Sequence, residues 1–240
     1  MRSTLITTGK WYKPLALYFW YIMLKENLNA ILNEIKNGND KGEKITLVGA
    51  TKFVPVEVIN EAIDLGLTNV AENRAQEFRD KFPVVKPCSY HFIGTLQTNK
   101  IKYLIGKASL IESVSNYELI DEISRQSVVK QVETNILIQI NIGNEENKHG
   151  FTLQEASSAV EYAFNKPNIK VLGLMAMLPD SDNETYLITL CESLHSVYDK
   201  LKSKYNFKHL SLGMSGDYKL TIKHGSNMIR VGSAIFGKRY

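Results

Sequence analysis

Eight short apolar, β-prone runs alternate with stretches of helical periodicity along this chain, and no other feature restricts the fold as much. The runs are Ile45–Ala50, Thr68–Ala71, Tyr90–Ile93, Leu110–Val114, Asn135–Ile142, Ile169–Met175, His209–Leu212 and Met228–Val231. Helical patterns lie between them at Val56–Leu65, closed by Gly66, and at Gln97–Ile105, closed by Gly106. Tyr117–Val128, Leu153–Phe164, Tyr186–Lys202 and Tyr218–Lys223 follow, the last ending near Gly225. Unbroken apolar runs read as strands buried on both faces, as in a parallel sheet. Strand–helix alternation implies right-handed βαβ units. Eight of them predict a single closed (β/α)8 TIM barrel. Ahead of the first run, Leu24, Leu28, Ile31, Leu32 and Ile35 repeat at helical spacing and Gly38 follows as a stop, which predicts a lead-in helix. A length of 240 residues suits one such domain, and no linker or low-complexity stretch marks a second.

Composition removes several function classes. With 44% hydrophobic and 22% charged residues the chain can bury an ordinary globular core. Its formal charge of +4 is mild and its lysines are scattered, so no nucleic-acid footprint is indicated. Cys88 and Cys191 form no metal-type spacing and are expected to be reduced thiols in a cytoplasmic protein. The apolar run from Leu15 to Leu24, preceded by Arg2, Lys10 and Lys13, is too short to span a bilayer. Lys25-Glu26-Asn27 follow it without a small-residue cleavage site. The expectation is no membrane partner. The run reads as a packing extension or as a leader upstream of a start at Met23.

In a barrel the functional residues follow the strands at their carboxyl ends. Those positions carry Lys52, Glu72-Asn73, Gly94, Asn141, Met175 to Met177, Ser215, and Arg230 with Gly232-Ser233. Lys52 stands just past the first run. In a partly dry site desolvation favours the neutral amine, a nucleophile toward aldehydes; the plain alternative is a lysine that snorkels to water. Two glycine-bearing turns, Leu212–Asp217 and Arg230–Gly237, follow the last two runs, where barrels commonly hold a phosphate. Ser215, Gly232 and Ser233 would form the cup, from backbone N–H groups and hydroxyls. The alternative is ordinary turn glycines and helix caps. A phosphate cup opposite an aldehyde-reactive lysine suits pyridoxal phosphate. Arg230 would then meet the pyridine nitrogen, keep it unprotonated and weaken the ring as an electron sink. A salt bridge from Arg230 to a barrel carboxylate such as Glu72 is the competing role.

Here the chain resembles the pyridoxal phosphate homeostasis protein family, whose domain is similar to the N-terminal barrel of alanine racemases. The motifs that carry the resemblance are Val48-Gly49-Ala50-Thr51-Lys52, Ala71-Glu72-Asn73, His91-Phe92-Ile93-Gly94 and Leu96-Gln97-Thr98-Asn99-Lys100. They continue with Leu137–Asn141, Lys148-His149-Gly150, Gly173–Met177, Leu212–Ser215 and Arg230–Gly237. The resemblance spans residues 23–240 as a pyridoxal phosphate-binding barrel and leaves 1–22 as an extension outside it. It implies a covalent aldimine of the cofactor on Lys52. It also implies phosphate contacts from Ser215, Gly232 and Ser233, Arg230 at the ring nitrogen, and Asn73 and Met175 lining the pocket. Lys148 matches a family lysine in a loop near the site, with a solvated loop lysine as the plain alternative. His91 reads as a satisfied strand histidine or a group near the site. Alanine racemases have a second, β-rich domain that supplies a tyrosine base across a dimer interface. This chain ends at Tyr240, so that domain is expected to be absent. The implied role is intracellular homeostasis of pyridoxal phosphate (vitamin B6) without catalytic turnover, by a cytoplasmic monomer that serves cofactor-dependent apo-enzymes. Two alternatives are a pyridoxal phosphate-dependent amino-acid racemase, with Tyr103 or His91 as a base, and a cofactor-free aldolase-like barrel.

Overall fold

The computed structural model of the protein describes residues 12–145 and 148–237. Eight parallel strands close into a barrel in sequence order: β1 (Thr46–Ala50), β2 (Asn69–Glu72), β3 (Ser89–Phe92), β4 (Leu110–Val114), β5 (Thr134–Ile140), β6 (Ile169–Ala176), β7 (His209–Ser211) and β8 (Met228–Val231). The expected TIM barrel is therefore present, and β1 pairs with β8 through Val48 and Arg230 to close it. The helices are α1 (Tyr12–Ile35), α2 (Val56–Asp64), α3 (Ala75–Lys81), α4 (Tyr117–Lys130), α5 (Ala156–Phe164), α6 (Glu184–Tyr205), α7 (Tyr218–Lys223) and α8 (Ser233–Phe236).

Two connections differ from the sequence reading. A helix, α3, joins β2 to β3 where none was expected, because its seven residues bury only Ala75 and Phe78 and show no apolar stripe. Between β3 and β4 the expected helix over Gln97–Ile105 is a 3-10 helix, Thr98–Tyr103, whose tighter turn suits so short a crossover. Elsewhere boundaries move by a few residues. Asn116 and Asn183 start α4 and α6, their side chains accepting from the amides of Leu119 and Tyr186.

The lead-in helix is longer than its apolar spacing suggested. It starts at Tyr12 and runs unbroken across the boundary drawn at residues 22 and 23. Leu24, Leu28, Ile31 and Ile35 are buried. At ~1.5–3 kcal/mol for each buried aliphatic side chain, this face contributes most to holding the helix against the barrel. Asn27 Nδ2 donates to the Ile235 carbonyl at 3.2 Å, tying α1 to α8. Among the described residues no helix is long and apolar enough to cross a membrane.

Two apolar layers follow from strand alternation. The larger lies between strands and helices and includes Leu47, Val70, Phe92, Leu174 and Ile229. The smaller fills the barrel itself with Val48, Ala71, Leu110, Leu137, Met175 and Met228. The pairing of β5 with β6 shifts register once, beside Gly173. This glycine has φ +153°, and a Cβ there would sit 1.8 Å from the His209 carbonyl oxygen of β7.

At the amino end of the barrel, Glu43 gathers the turn after α1, α6 and the start of β8. It accepts from Asn39 at 3.2 Å, from Asn227 at 3.0 Å and from the Lys202 ammonium. Burial opposes its charge, but Lys202 and the two amides outweigh that and hold the carboxyl below the usual carboxylate range. A depressed folded-state pKa gives stability that is present above the unfolded value and lost as pH falls through the folded one. Glu43→Gln is thus expected to cost about 1 kcal/mol near neutral pH. That cost should fade below about pH 4 in denaturant melts followed across the acid range. Gly173→Ala should lower stability by about 3 kcal/mol or more, or abolish folding, as read by thermal unfolding.

Candidate functional site

The carboxyl ends of the strands open on a cavity of about 510 Å³, within the range that takes a small cofactor. Lys52, Asn73, Ser215, Arg230, Gly232 and Ser233 all line it. The topology explains why residues so distant in sequence meet. Because β1 lies between β8 and β2, Lys52 falls between Gly232-Ser233 and Asn73. Ser215 follows β7, the next strand round.

Lys52 is exposed, so the partly dry setting expected for it is not what this open cavity provides. Its backbone, by contrast, is tightly held. The Thr51 amide continues the ladder to Ala71, and the Thr51 hydroxyl donates to Glu72 Oε1 at 2.7 Å. Lys81 Nζ, from α3, donates to the Thr51 carbonyl at 3.0 Å, to Glu72 at 2.7 Å and to Glu77 at 3.2 Å. On the other side of Lys52, Glu77 Oε2 accepts the Phe53 amide at 3.1 Å. Phe53 has φ +60°, a left-handed conformation that costs a bulky residue on the order of 1 kcal/mol. The Arg74 guanidinium covers its ring at 4.7 Å. The peptides on both sides of Lys52 are thus fixed by α3. Burial pushes the Glu72 carboxyl up, against the opposing pull of Lys81 and Thr51.

Beside Lys52, past the ends of β7 and β8, the two late turns meet. Ser215 Oγ accepts from the Gly232 amide at 3.2 Å and from the Ala234 amide at 3.4 Å. Donors from the start of α8 therefore converge on the hydroxyl at the cavity wall. Asn73 reaches the wall from the end of β2, and its Oδ1 is buried with no hydrogen-bond partner. The loop after β3 presses on it so closely that a Cβ on Gly94 would lie 1.8 Å from the Asn73 carbonyl oxygen.

Arg230 enters from the barrel interior and is 4% exposed. Its Nη1 donates to Ser211 Oγ at 2.6 Å and its Nη2 to the Ala176 carbonyl at 2.8 Å. Ser211 donates onward to Glu112 Oε2 at 2.6 Å, and the other oxygen of Glu112 lies 2.7 Å from His91 Nδ1. Burial opposes the Glu112 charge, yet the bonds from His91 and Ser211 and the positive charge of Arg230 prevail, holding its carboxyl below the usual range. Glu72, the alternative partner for Arg230, is engaged with Thr51 and Lys81 instead.

The remaining sequence candidates lie elsewhere. Met175 is fully buried in the barrel's apolar cluster, and Met177, two residues nearer the strand's end, is the methionine of β6's exit at the wall. Lys148 donates to the Leu178 carbonyl at 3.2 Å and pairs with Glu145, away from the wall. The Asn141 side chain closes its own loop on the carbonyls of Glu145 and Lys148. Tyr103 sits on the 3-10 helix, with Arg79 5.2 Å from its ring centre. The sequence reading missed Glu112 and Ser211. A carboxylate inside the apolar run Leu110–Val114 was the signal for the first; nothing marked the second.

The sequence model described as alanine racemase, N-terminal domain, matches residues 46–240. A pyridoxal phosphate homeostasis protein of Aquifex aeolicus is 39% identical over 222 residues, 89% of this chain and 97% of the relative. A crystal structure of a Bifidobacterium adolescentis protein superposes with a TM-score of 0.84 at 27% identity, covering 91% of this chain and 96% of that one. PipY of Synechococcus elongatus, solved with PLP bound, has the same fold, with a TM-score of 0.77 at 22% identity over 89% of this chain and all of that one. Matched by the domain model through its whole barrel and by a relative covered nearly end to end, the chain belongs to the pyridoxal phosphate homeostasis protein family.

Proposed function

We propose that this protein holds pyridoxal 5′-phosphate as a Schiff base on Lys52 and serves intracellular homeostasis of the cofactor. It acts as a reversible carrier or buffer for cofactor-dependent apo-enzymes and works in the cytoplasm as a monomer. The observation that carries the reading is the cavity itself. The wall offers an amine after β1 and converging backbone donors at Ser215 after the neighbouring β7 and β8, and the floor offers a guanidinium. The residues fit the cofactor on a further point. Its phosphate oxygens and its ring nitrogen are acceptors, and the wall offers donors to match: hydroxyls at Ser215 and Ser233, the Gly232 and Ala234 amides that converge at Ser215, and the Arg230 guanidinium.

Bound pyridoxal phosphate supplies an aldehyde that condenses with a primary amine, and a ring that can draw electrons from it. The chain's residues do the rest. Ser215, Gly232 and Ser233 take the phosphate at the mouth of the last two loops. Lys52 holds the aldehyde end, on a backbone that α3 keeps from moving. Arg230 cannot release its proton, so at the ring nitrogen it donates and leaves that nitrogen unprotonated. This damps the ring as an electron sink and favours holding over turnover. Both bases that a racemase reading would use lie off the wall: His91 is bonded to Glu112 in the barrel interior, and Tyr103 is on the 3-10 helix. Racemization needs an acid or base on each face of the substrate carbon, so this arrangement supports the carrier reading.

Visible absorbance of the purified protein with added pyridoxal phosphate tests the proposal. Wild type should develop a Schiff-base band that borohydride fixes to the peptide carrying Lys52, and Lys52→Ala should not. A wild type that stays colourless overturns it. Ser215→Ala should leave the band but weaken binding roughly tenfold, the scale of one hydrogen bond to a charged group. Equilibrium dialysis reads this directly.

A further inference from the structure

The buried chain His91–Glu112–Ser211–Arg230 has no part in the reading above beyond presenting Arg230. It links four strands, β3, β4, β7 and β8, through the barrel interior. Glu112 is 0% exposed and sits in the middle of a strand. A fully buried carboxylate is rare unless something requires its charge.

The hydrogen-bond directions identify what requires it. Arg230 can only donate, so Ser211 Oγ must accept from it. The single proton of Ser211 is then free for Glu112, and Glu112 Oε2 stands 2.6 Å away to receive it. The relay therefore has one polarity, from guanidinium to carboxylate. The two Nη groups of Arg230 are tied to different strands, one to the Ser211 hydroxyl of β7 and one to the Ala176 carbonyl of β6. Two anchors on a planar group leave it one orientation. The charges of two carboxylates, Glu112 and Asp217, act on Arg230, and Glu112 is the one linked to it by hydrogen bonds, through Ser211, while Glu72 serves Lys81.

We infer that Glu112, acting through Ser211, is the positioning residue for Arg230: it locks the guanidinium in the orientation it presents to the cavity and so sets how firmly the ring is retained there. The second half of this statement rests on the pyridoxal phosphate reading; the first does not. A neutral amide at position 112 removes the counter-charge and leaves one acceptor oxygen where the carboxylate offers two, to Ser211 and to His91. Loss of the Ser211 hydroxyl breaks the relay while leaving the Glu112–His91 pair intact.

Two measurements on the full chain separate the parts. In protein labelled with ¹⁵N-arginine and free of cofactor, the Nη resonances of Arg230, assigned by their loss in Arg230→Lys, should be resolved and slowly exchanging. They should average in both Glu112→Gln and Ser211→Ala. Resonances unchanged in both variants overturn the anchoring. In protein loaded with pyridoxal phosphate, either variant should speed cofactor release to an acceptor apo-enzyme roughly fivefold, the scale of one hydrogen bond. The same substitution in an Arg230→Ala background should add less than about twofold. Equal acceleration in both backgrounds means a general structural role and overturns the inference. Should Glu112→Gln fail to fold, Ser211→Ala carries the same test. A wild type that takes up no cofactor sinks the proposed function, and the resonance measurement still decides whether Glu112 holds Arg230.

Discussion

Closing eight parallel strands into a ring is the constraint on which everything else here depends. A closed sheet has no free edge, and each strand end is fixed by two neighbours. The ring brings the first strand beside the last, and this alone sets Lys52 next to Gly232 and Ser233, some 180 residues away in sequence. It also confines the interior. Side chains pointing inward must either pack, as Val48, Leu137 and Met228 do, or satisfy one another, as His91, Glu112, Ser211 and Arg230 do. The site is built where the apolar filling gives way to this polar layer and the layer in turn gives way to the mouth.

Much of that plan was legible in the sequence, for a physical reason. Strands buried on both faces must be apolar at nearly every position, so they stand out against amphipathic helices, and the residue after each run marks the rim. Lys52, Asn73, Ser215, Arg230, Gly232 and Ser233 were found in this way and meet at one cavity. Depth along a strand was not legible. Met175 and Met177 point the same way, but two residues make a step of about 6.6 Å, and only the outer one reaches the wall. Short elements failed for a different reason. Helix α3 buries two side chains, too few to show a period, and yet it supplies Lys81 and Glu77.

The two polar assemblies around the site divide the labour. One, Thr51–Glu72–Lys81–Glu77, lies on the helix side of the strands and fixes the backbone at the amine. The other lies inside the barrel and fixes the guanidinium. Each surrounds a buried carboxylate, and each carboxylate has a cation within its network. Glu72 is raised and Glu112 lowered relative to an ordinary glutamate because Glu112 gathers bonds from both sides, whereas one oxygen of Glu72 has no partner.

The Ser215 hydroxyl already satisfies the amides of Gly232 and Ala234. An incoming oxygen therefore replaces one acceptor with another, and a neutral group gains almost nothing by the exchange. A doubly charged oxyanion gains the difference between a neutral and a charge-assisted bond at each amide. In the proposed carrier such a cup would sort vitamers by charge rather than by shape: a dephosphorylated aldehyde would meet amides that the serine already satisfies.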